Sequence, residues 1–216
     1  MNILIFLGPA GSGKGTQAQY LKEKFQFSHL STGDLLRTEV KSGSELGRKV
    51  QTVIDSGNLV SDAIILSIIK DNLQEIIREN AHPGIVFDGF PRTLEQARAF
   101  DVMLASLGLT LTHAVSFDLS LEESISRISG RQIDSRNNTV YHKETNPAPK
   151  EIQPYLVSRD DDNPEKVKVR YGVFQKETNP LKQHYADDLL VIDCMQPIDH
   201  IHRLFDELVQ SFQVSA

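Results

Sequence analysis

The first residues able to do chemistry stand close to the N-terminus, in "GPAGSGKGT" from Gly8 to Thr16. Gly8, four residues, Gly13 and Lys14 have the spacing of a phosphate-binding loop, and an apolar strand-like run precedes them while a helix-like run follows. Glycines let such a loop curl its backbone N–H groups around a phosphate at a helix N-terminus, and the lysine adds a mobile positive charge. Gly11, Ser12, Gly13, Lys14, Gly15 and Thr16 are therefore the expected phosphate cradle; a bare glycine turn is the competing reading. In the common form of this loop the residue after the lysine gives a hydroxyl to Mg²⁺. Here Gly15 holds that place and the hydroxyl comes one residue later, at Thr16, so no direct metal ligand is expected from Gly15.

Further down the chain, carboxylates and arginines recur at places suited to phosphate chemistry. Asp88 closes the apolar run "GIVFD", where a carboxylate at the C-terminal edge of a parallel strand would face a ligand crevice. Arg92 follows in "DGFPRT", and Asp34 and Arg37 lie in "STGDLLR". Guanidinium forks grip phosphate oxygens at two points, which suits Arg37 and Arg92 to an acceptor phosphate. Asp34 is equally an ordinary acid of a helix's first turn. Arg127 and Arg131 are four apart on what reads as one helix and would share a face, while Arg159 and Arg170 flank the exit of a long polar segment, Arg170 on the next helix. An exposed, salt-bridged surface, aided by Asp160, Asp161 and Asp162, is the plainer explanation of these arginines.

The elements that must position these groups alternate. The short apolar runs "ILIFL", "GIVFD", "HAVSF" and "LLVID", with a weaker "FSHLS", each lead into a helical stretch, which predicts a buried parallel sheet covered by helices. Ser120 with Glu123, and Asn163 followed by Pro164, mark helix starts; residues 62–80, 93–106 and 197–212 carry helical periodicity. Two segments break the alternation. Residues 31–60 hold helical pieces without an obvious strand, and residues 131–162 are polar with short β-like runs such as "TVYH", the composition of a functional lid or of disorder.

Composition bounds the rest. A chain of 216 residues, 39% hydrophobic, can bury one sizeable core with insertions. The net charge of -6 argues against a nucleic-acid binder, so phosphate chemistry must rest on a local arginine cluster. The apolar runs are too short for a signal core or a membrane span, and the expectation is a cytoplasmic protein. Cys194 is the only cysteine and sits in an apolar run, which excludes disulfides and cysteine-rich zinc sites.

"GPAGSGKGTQ", "STGDLLR" and "DGFPRT", in this order and with an arginine-bearing lid, resemble the adenylate kinases, members of the nucleoside monophosphate kinase family, over nearly the whole chain. The resemblance implies an α/β fold: a P-loop core with a parallel sheet (1–30, 61–130 and 163–216), a helical insertion binding the nucleoside monophosphate (31–60) and a lid (131–162). It implies reversible phosphoryl transfer from Mg·ATP to AMP giving two ADP, with Mg²⁺ held by nucleotide and water and with Asp34 and Asp88 behind the water. ATP, AMP and ADP are the partners implied, and a monomer is the family's habit. The resemblance gives Arg127, Arg131, Val140, Tyr141 and Gln196 to the donor nucleotide, with His142 a further contact; Thr32, Arg37, Asn58, Val60, Gly89, Arg92, Gln96, Arg159 and Arg170 to AMP; and Lys14, Arg92, Arg131, Arg159 and Arg170 to catalysis, the last three around the transferring group.

The chain also departs from that pattern. Gln132 stands where a second arginine is usual, Thr145 where an aromatic often stacks on the donor base, and Asn58 where a lysine is common beside the acceptor. The lid is short, lacks the four cysteines of the zinc-bearing form, and shows no obvious internal fastening. A GTP:AMP phosphotransferase, a UMP/CMP kinase and a non-catalytic ATP or ADP sensor are the rival readings. Four arginines beyond the loop argue against the sensor.

Overall fold

The computed structural model describes residues 1–56, 60–79, 81–137 and 139–214. The chain runs β1 (Asn2–Leu7), α1 (Lys14–Phe25), β2 (Ser28–Ser31), α2 (Thr32–Lys41), α3 (Glu45–Ser56), α4 (Asp62–Glu79), β3 (Gly84–Asp88), α5 (Leu94–Ser106), β4 (His113–Asp118) and α6 (Leu121–Ser129). It continues through β5 (Arg131–Asp134), β6 (Val140–His142), β7 (Leu156–Val157), α7 (Pro164–Val173), α8 (Leu181–His184), β8 (Leu189–Asp193) and α9 (Ile198–Val214).

Five strands form one parallel sheet in the order β2-β3-β1-β4-β8. All five apolar runs picked out from the sequence are strands of it. Alternation along β1 divides the core: Ile3, Ile5 and Leu7 face the layer that contains α4 and α5, whereas Leu4 and Phe6 face α1 and α9. Both faces are apolar because both are covered, and each fully buried Phe or Leu side chain contributes roughly 1.5–3 kcal/mol. Cys194 lies in the second layer at 3% exposure, and burial pushes its thiol up to about 11, which keeps it an inert core residue. The result is a mixed α/β fold, a parallel sheet with helices on both faces.

From β1 the chain moves outward to β2, returns to β3 beside β1, and then crosses to β4 on the other side. The order therefore reverses at β1, and the crevice beyond the C-terminal end of that strand is where such sheets receive ligands. The glycine loop leaves β1 at that point.

The helix starts follow their caps. Thr93 accepts from the Gln96 N–H, Ser120 from Glu123 and Asn163 from Lys166. Helix α6, however, stops at Ser129 with Gly130 as its C-cap, so Arg131 does not share a helix face with Arg127 but opens strand β5. Glycine ends the helix there for lack of room as well: a Cβ on Gly130 would overlap the His142 ring.

Residues 131–162 contain a second, antiparallel sheet in the order β6-β5-β7. Its fastening is ionic and aromatic. The Asp134 side chain, 1% exposed, takes Arg136 in a forked pair with contacts of 2.9 and 2.6 Å, and the Arg136 guanidinium lies 3.8 Å from the centroid of the Tyr155 ring. Among the described residues no helix is long and apolar enough to cross a membrane.

Candidate active site

The glycine loop uses its glycines as the sequence requires. Gly11 and Gly13 have φ of 79° and 92°, left-handed values that side-chain-bearing residues avoid. Gly13 is the N-cap of α1 and offers no side-chain cap, and no acid sits in the first turn, so the helix end presents bare N–H groups. Lys14 Nζ bends back to donate to the carbonyls of Gly8 and Pro9, each at 2.8 Å, and to Ser12 Oγ at 3.3 Å. Burial lowers its pKa to about 8; Asp88 opposes the shift, and Arg92 and Arg170 add to it.

Asp88 ends β3 in register with Phe6 of β1 and Ser31 of β2, which places its carboxylate at the sheet's C-terminal edge. A Cβ on Gly15 would stand 3.4 Å from Asp88 Oδ2, so the acid lies directly over the residue that lacks a side chain. Burial alone would raise the pKa of Asp88, but the neighbouring His29 ring, Lys14 and Arg92 hold it below the ordinary carboxylate range. Among the described residues the buried His29 Nε2 has no hydrogen-bond partner, and it lies 3.5 Å from Asp88 Oδ2. An ionised carboxylate over a glycine, beside a lysine, is a set of groups that fits a hydrated Mg²⁺. Thr16 lies in the same first helical turn.

Five arginines gather beside this edge. Arg92 donates through Nε to the Gly89 carbonyl at 2.7 Å; burial first, then the charge of Arg170, lowers its pKa to about 10, where it is still a full cation at neutral pH. Arg159 is lowered to about 10 by burial and by the nearby Arg37 and Arg131. Arg170 is lowered chiefly by burial, against the pull of Asp161. Acids hold this collection together: Asp34 Oδ1 takes Arg37 at 2.6 Å and Arg159 at 3.3 Å, Asp161 takes Arg170 at 2.8 Å, and Asp162 takes Arg131 in a two-point pair. The side chains of Asp161 and Asp162 are 14% and 6% exposed, so these acids are partners of the cluster rather than a solvated charge run. Of the two acids assigned to the metal, Asp88 is the one beside Lys14 and Gly15, while Asp34 is the spacer between two guanidinium groups.

Of the residues expected at the acceptor, Thr32 and Gly89 follow the paired ends of β2 and β3. Thr32, 3% exposed, donates to the carbonyls of Gly89 and Asp88 at 2.9 and 3.2 Å, leaving its oxygen free only to accept. Gly89 sits at φ 78°, and a Cβ there would stand 3.0 Å from Arg92 Nη2 and 3.1 Å from Thr32 Oγ1. Gln96 is buried between α4 and α5, and Val60 is buried in the same layer as Leu36. Asn58 lies outside the described residues. Asp62, unremarked in the sequence, bonds Gln96 at 2.7 Å; an acid in a helix's first turn gives no warning of a partner 34 residues away.

Arg127, expected at the donor nucleotide, bonds Glu123 at 2.7 Å and reaches the Cys194 carbonyl at 2.9 Å and the Met195 sulfur at 3.7 Å. That brings α6 against the turn carrying Gln196, whose Nε2 donates to Asp193 at 3.4 Å. Val140 is exposed and Tyr141 half-buried, on the strand paired with β5. His142 is occupied structurally: its Nδ1 accepts from the Glu144 and Thr145 N–H groups at 3.2 and 3.1 Å, and its ring covers Gly130.

A family model described as "Adenylate kinase" matches residues 6–189. An adenylate kinase of Chloroherpeton thalassium is 38% identical over 219 aligned positions, covering 98% of this chain and 99% of that protein. One of Fervidobacterium nodosum is 36% identical, with 97% and 98% covered, and one of Anaeromyxobacter dehalogenans is 40% identical, with 86% and 87% covered.

Proposed function

The chain belongs to the adenylate kinase family, and from that premise we propose how its residues divide the work of moving the terminal phosphoryl group of ATP to AMP. It is a nucleoside monophosphate kinase, and the products of the forward reaction are two ADP. The observation that carries the residue assignment is the meeting of Lys14, Asp88 and five arginines at the reversal point of the sheet.

In this reading Gly11 to Thr16 receive the donor phosphates on bare helix N–H groups, and Lys14 exchanges its loop carbonyls for phosphate oxygens. Arg127, Val140, Tyr141 and Gln196 border the donor base. Arg37 and Arg92 hold the acceptor phosphate, with Thr32, Val60, Gly89 and Gln96 around the base and Asn58 assigned to the same side. Arg131, Arg159 and Arg170 face the group in transit. A phosphate oxygen of AMP attacks the terminal phosphorus, a P–O bond forms, and the bond to the ADP oxygen breaks. No proton moves at neutral pH, because the nucleophile is already an anion, so the chain needs no general base. Its contribution is alignment and charge neutralisation. A nucleotide-borne Mg²⁺ would supply charge neutralisation to the phosphates, and Asp88, beside Lys14 and Gly15, is the acid that would hold its water.

Residues 31–60 and 131–162 are read as the two parts that close over the nucleotides, excluding water as a competing acceptor. Arg159 and Asp34, which bond each other, come from the two different parts. A cytoplasmic monomer is the state this reading takes over from the family resemblance.

The test is steady-state transfer with purified protein and Mg²⁺, crossing ATP and GTP against AMP, CMP and UMP. Turnover confined to ATP and AMP is expected. Preference for GTP would overturn the donor assignment, preference for CMP or UMP the acceptor assignment, and no transfer the enzymatic reading.

A further inference from the structure

Gln96 is 2% exposed, and both ends of its amide are engaged by partners that allow only one orientation. Its Oε1 accepts from the Arg92 backbone N–H at 2.8 Å, and its Nε2 donates to Asp62 Oδ1 at 2.7 Å. A peptide N–H can only donate and a carboxylate can only accept, so the oxygen must face Arg92 and the amino group must face Asp62. Each end keeps one further site: a second lone pair on Oε1 and a second hydrogen on Nε2. Whatever base meets this edge is offered one acceptor and one donor in a set order.

Purine bases answer that order in two opposite ways. The edge of a 6-aminopurine presents a donor at N6 and an acceptor at N1. A 6-oxopurine presents an acceptor at O6 and a donor at N1, which is the same pattern reversed. With the acceptor phosphate held by arginines the base cannot turn over, so only rotation of the amide could accommodate the second kind. We infer that Asp62 is a specificity-determining, positioning residue: by pinning the Gln96 amide from α4 it makes the site discriminate a 6-aminopurine monophosphate from a 6-oxopurine monophosphate. The inference rests on AMP being the acceptor. Asp62 supplies the charge-assisted half of the lock, the stronger of the two bonds. Leaving a buried amide wrongly paired is what lets a polar site reject a near-isostere.

The experiment compares kcat/KM for AMP and for IMP, with ATP as donor, in the wild-type protein, Asp62→Ala and Asp62→Asn. Asp62→Ala should lower the AMP-to-IMP ratio by about tenfold, mainly through a higher KM for AMP. Asp62→Asn keeps an acceptor oxygen at the same place and should hold most of the ratio. Should Asp62→Ala fail to fold by circular dichroism, Asp62→Ser, too short to reach Gln96, takes its place. A parallel fall for AMP and IMP, with the ratio kept, would make Asp62 a mere tie between α4 and α5 and overturn the inference. So would equal ratio losses in the Ala and Asn variants, or a wild type that does not discriminate. A wild type that transfers to no AMP at all would instead sink the functional reading, independently of Asp62.

Discussion

Arg159 Nη2 lies 3.3 Å from Asp34 Oδ1, although 125 residues of chain separate them. The same oxygen holds Arg37 at 2.6 Å, so one carboxylate spaces a guanidinium from the segment after β7 and one from α2. Asp34→Asn should raise KM for AMP by about tenfold in steady-state assays and leave KM for ATP near its wild-type value. A lower KM for AMP would mean that the acid competes with phosphate for these arginines rather than placing them.

Lys14 gives a pH prediction. Its pKa of about 8 in the folded protein means that the ammonium is charged below that value and is lost as pH rises through it. A bound polyphosphate favours the charged form. Thus kcat/KM for ATP should fall above about pH 8, and at pH 8.5 ATP binding should take up protons, measured by calorimetry in buffers of different ionisation enthalpy. Lys14→Met should abolish the uptake and cut kcat by orders of magnitude while keeping the fold.

Arg92 and Arg127 should separate the two nucleotides. Arg92→Ala should raise KM for AMP by about a hundredfold, with a far smaller effect on ATP binding. Arg127→Ala should do the reverse, with a smaller loss because its contacts are half exposed. Equal losses on both substrates in either variant would remove that residue from its assigned side.

The fastening of residues 131–162 can be tested without activity. Arg136→Ala leaves the nearly buried Asp134 without its guanidinium and Tyr155 without its cation. Amide exchange in β5 and β7 should quicken by about tenfold, while β1 and β3 stay unchanged. Uniform protection would mean that the small sheet is held by its backbone ladder alone.

How legible all this was depends on range. Strands β1, β3 and β4 announced themselves because both faces are buried and the runs are apolar; β8 is an apolar run with Val191 exposed, and the polar β2 gave the weakest signal. Strand β5 did not: "RQID" has no alternation, it follows a helix whose stop is the single residue Gly130, and β7 is two residues long. The glycine loop was readable from local spacing alone. The pairings of Arg159 with Asp34, Asp62 with Gln96 and Arg131 with Asp162 were not, since no local pattern encodes a contact across dozens of residues. Departures such as Gln132 and Thr145 find no compensating neighbour that explains them.

The arginine cluster has one more consequence, in how the molecule looks to an anion at different distances. With 29 acidic against 23 basic side chains, the chain repels anions from afar. Inside the crevice, within about 10 Å at ordinary ionic strength, the five arginines and Lys14 outnumber Asp34, Asp88, Asp161 and Asp162, six charges against four, so the local balance is positive. A free nucleotide is small enough to cross into the attractive zone whole. A nucleic-acid strand carrying the same groups would leave most of its phosphates outside the arginine cluster, where the net charge of -6 opposes them.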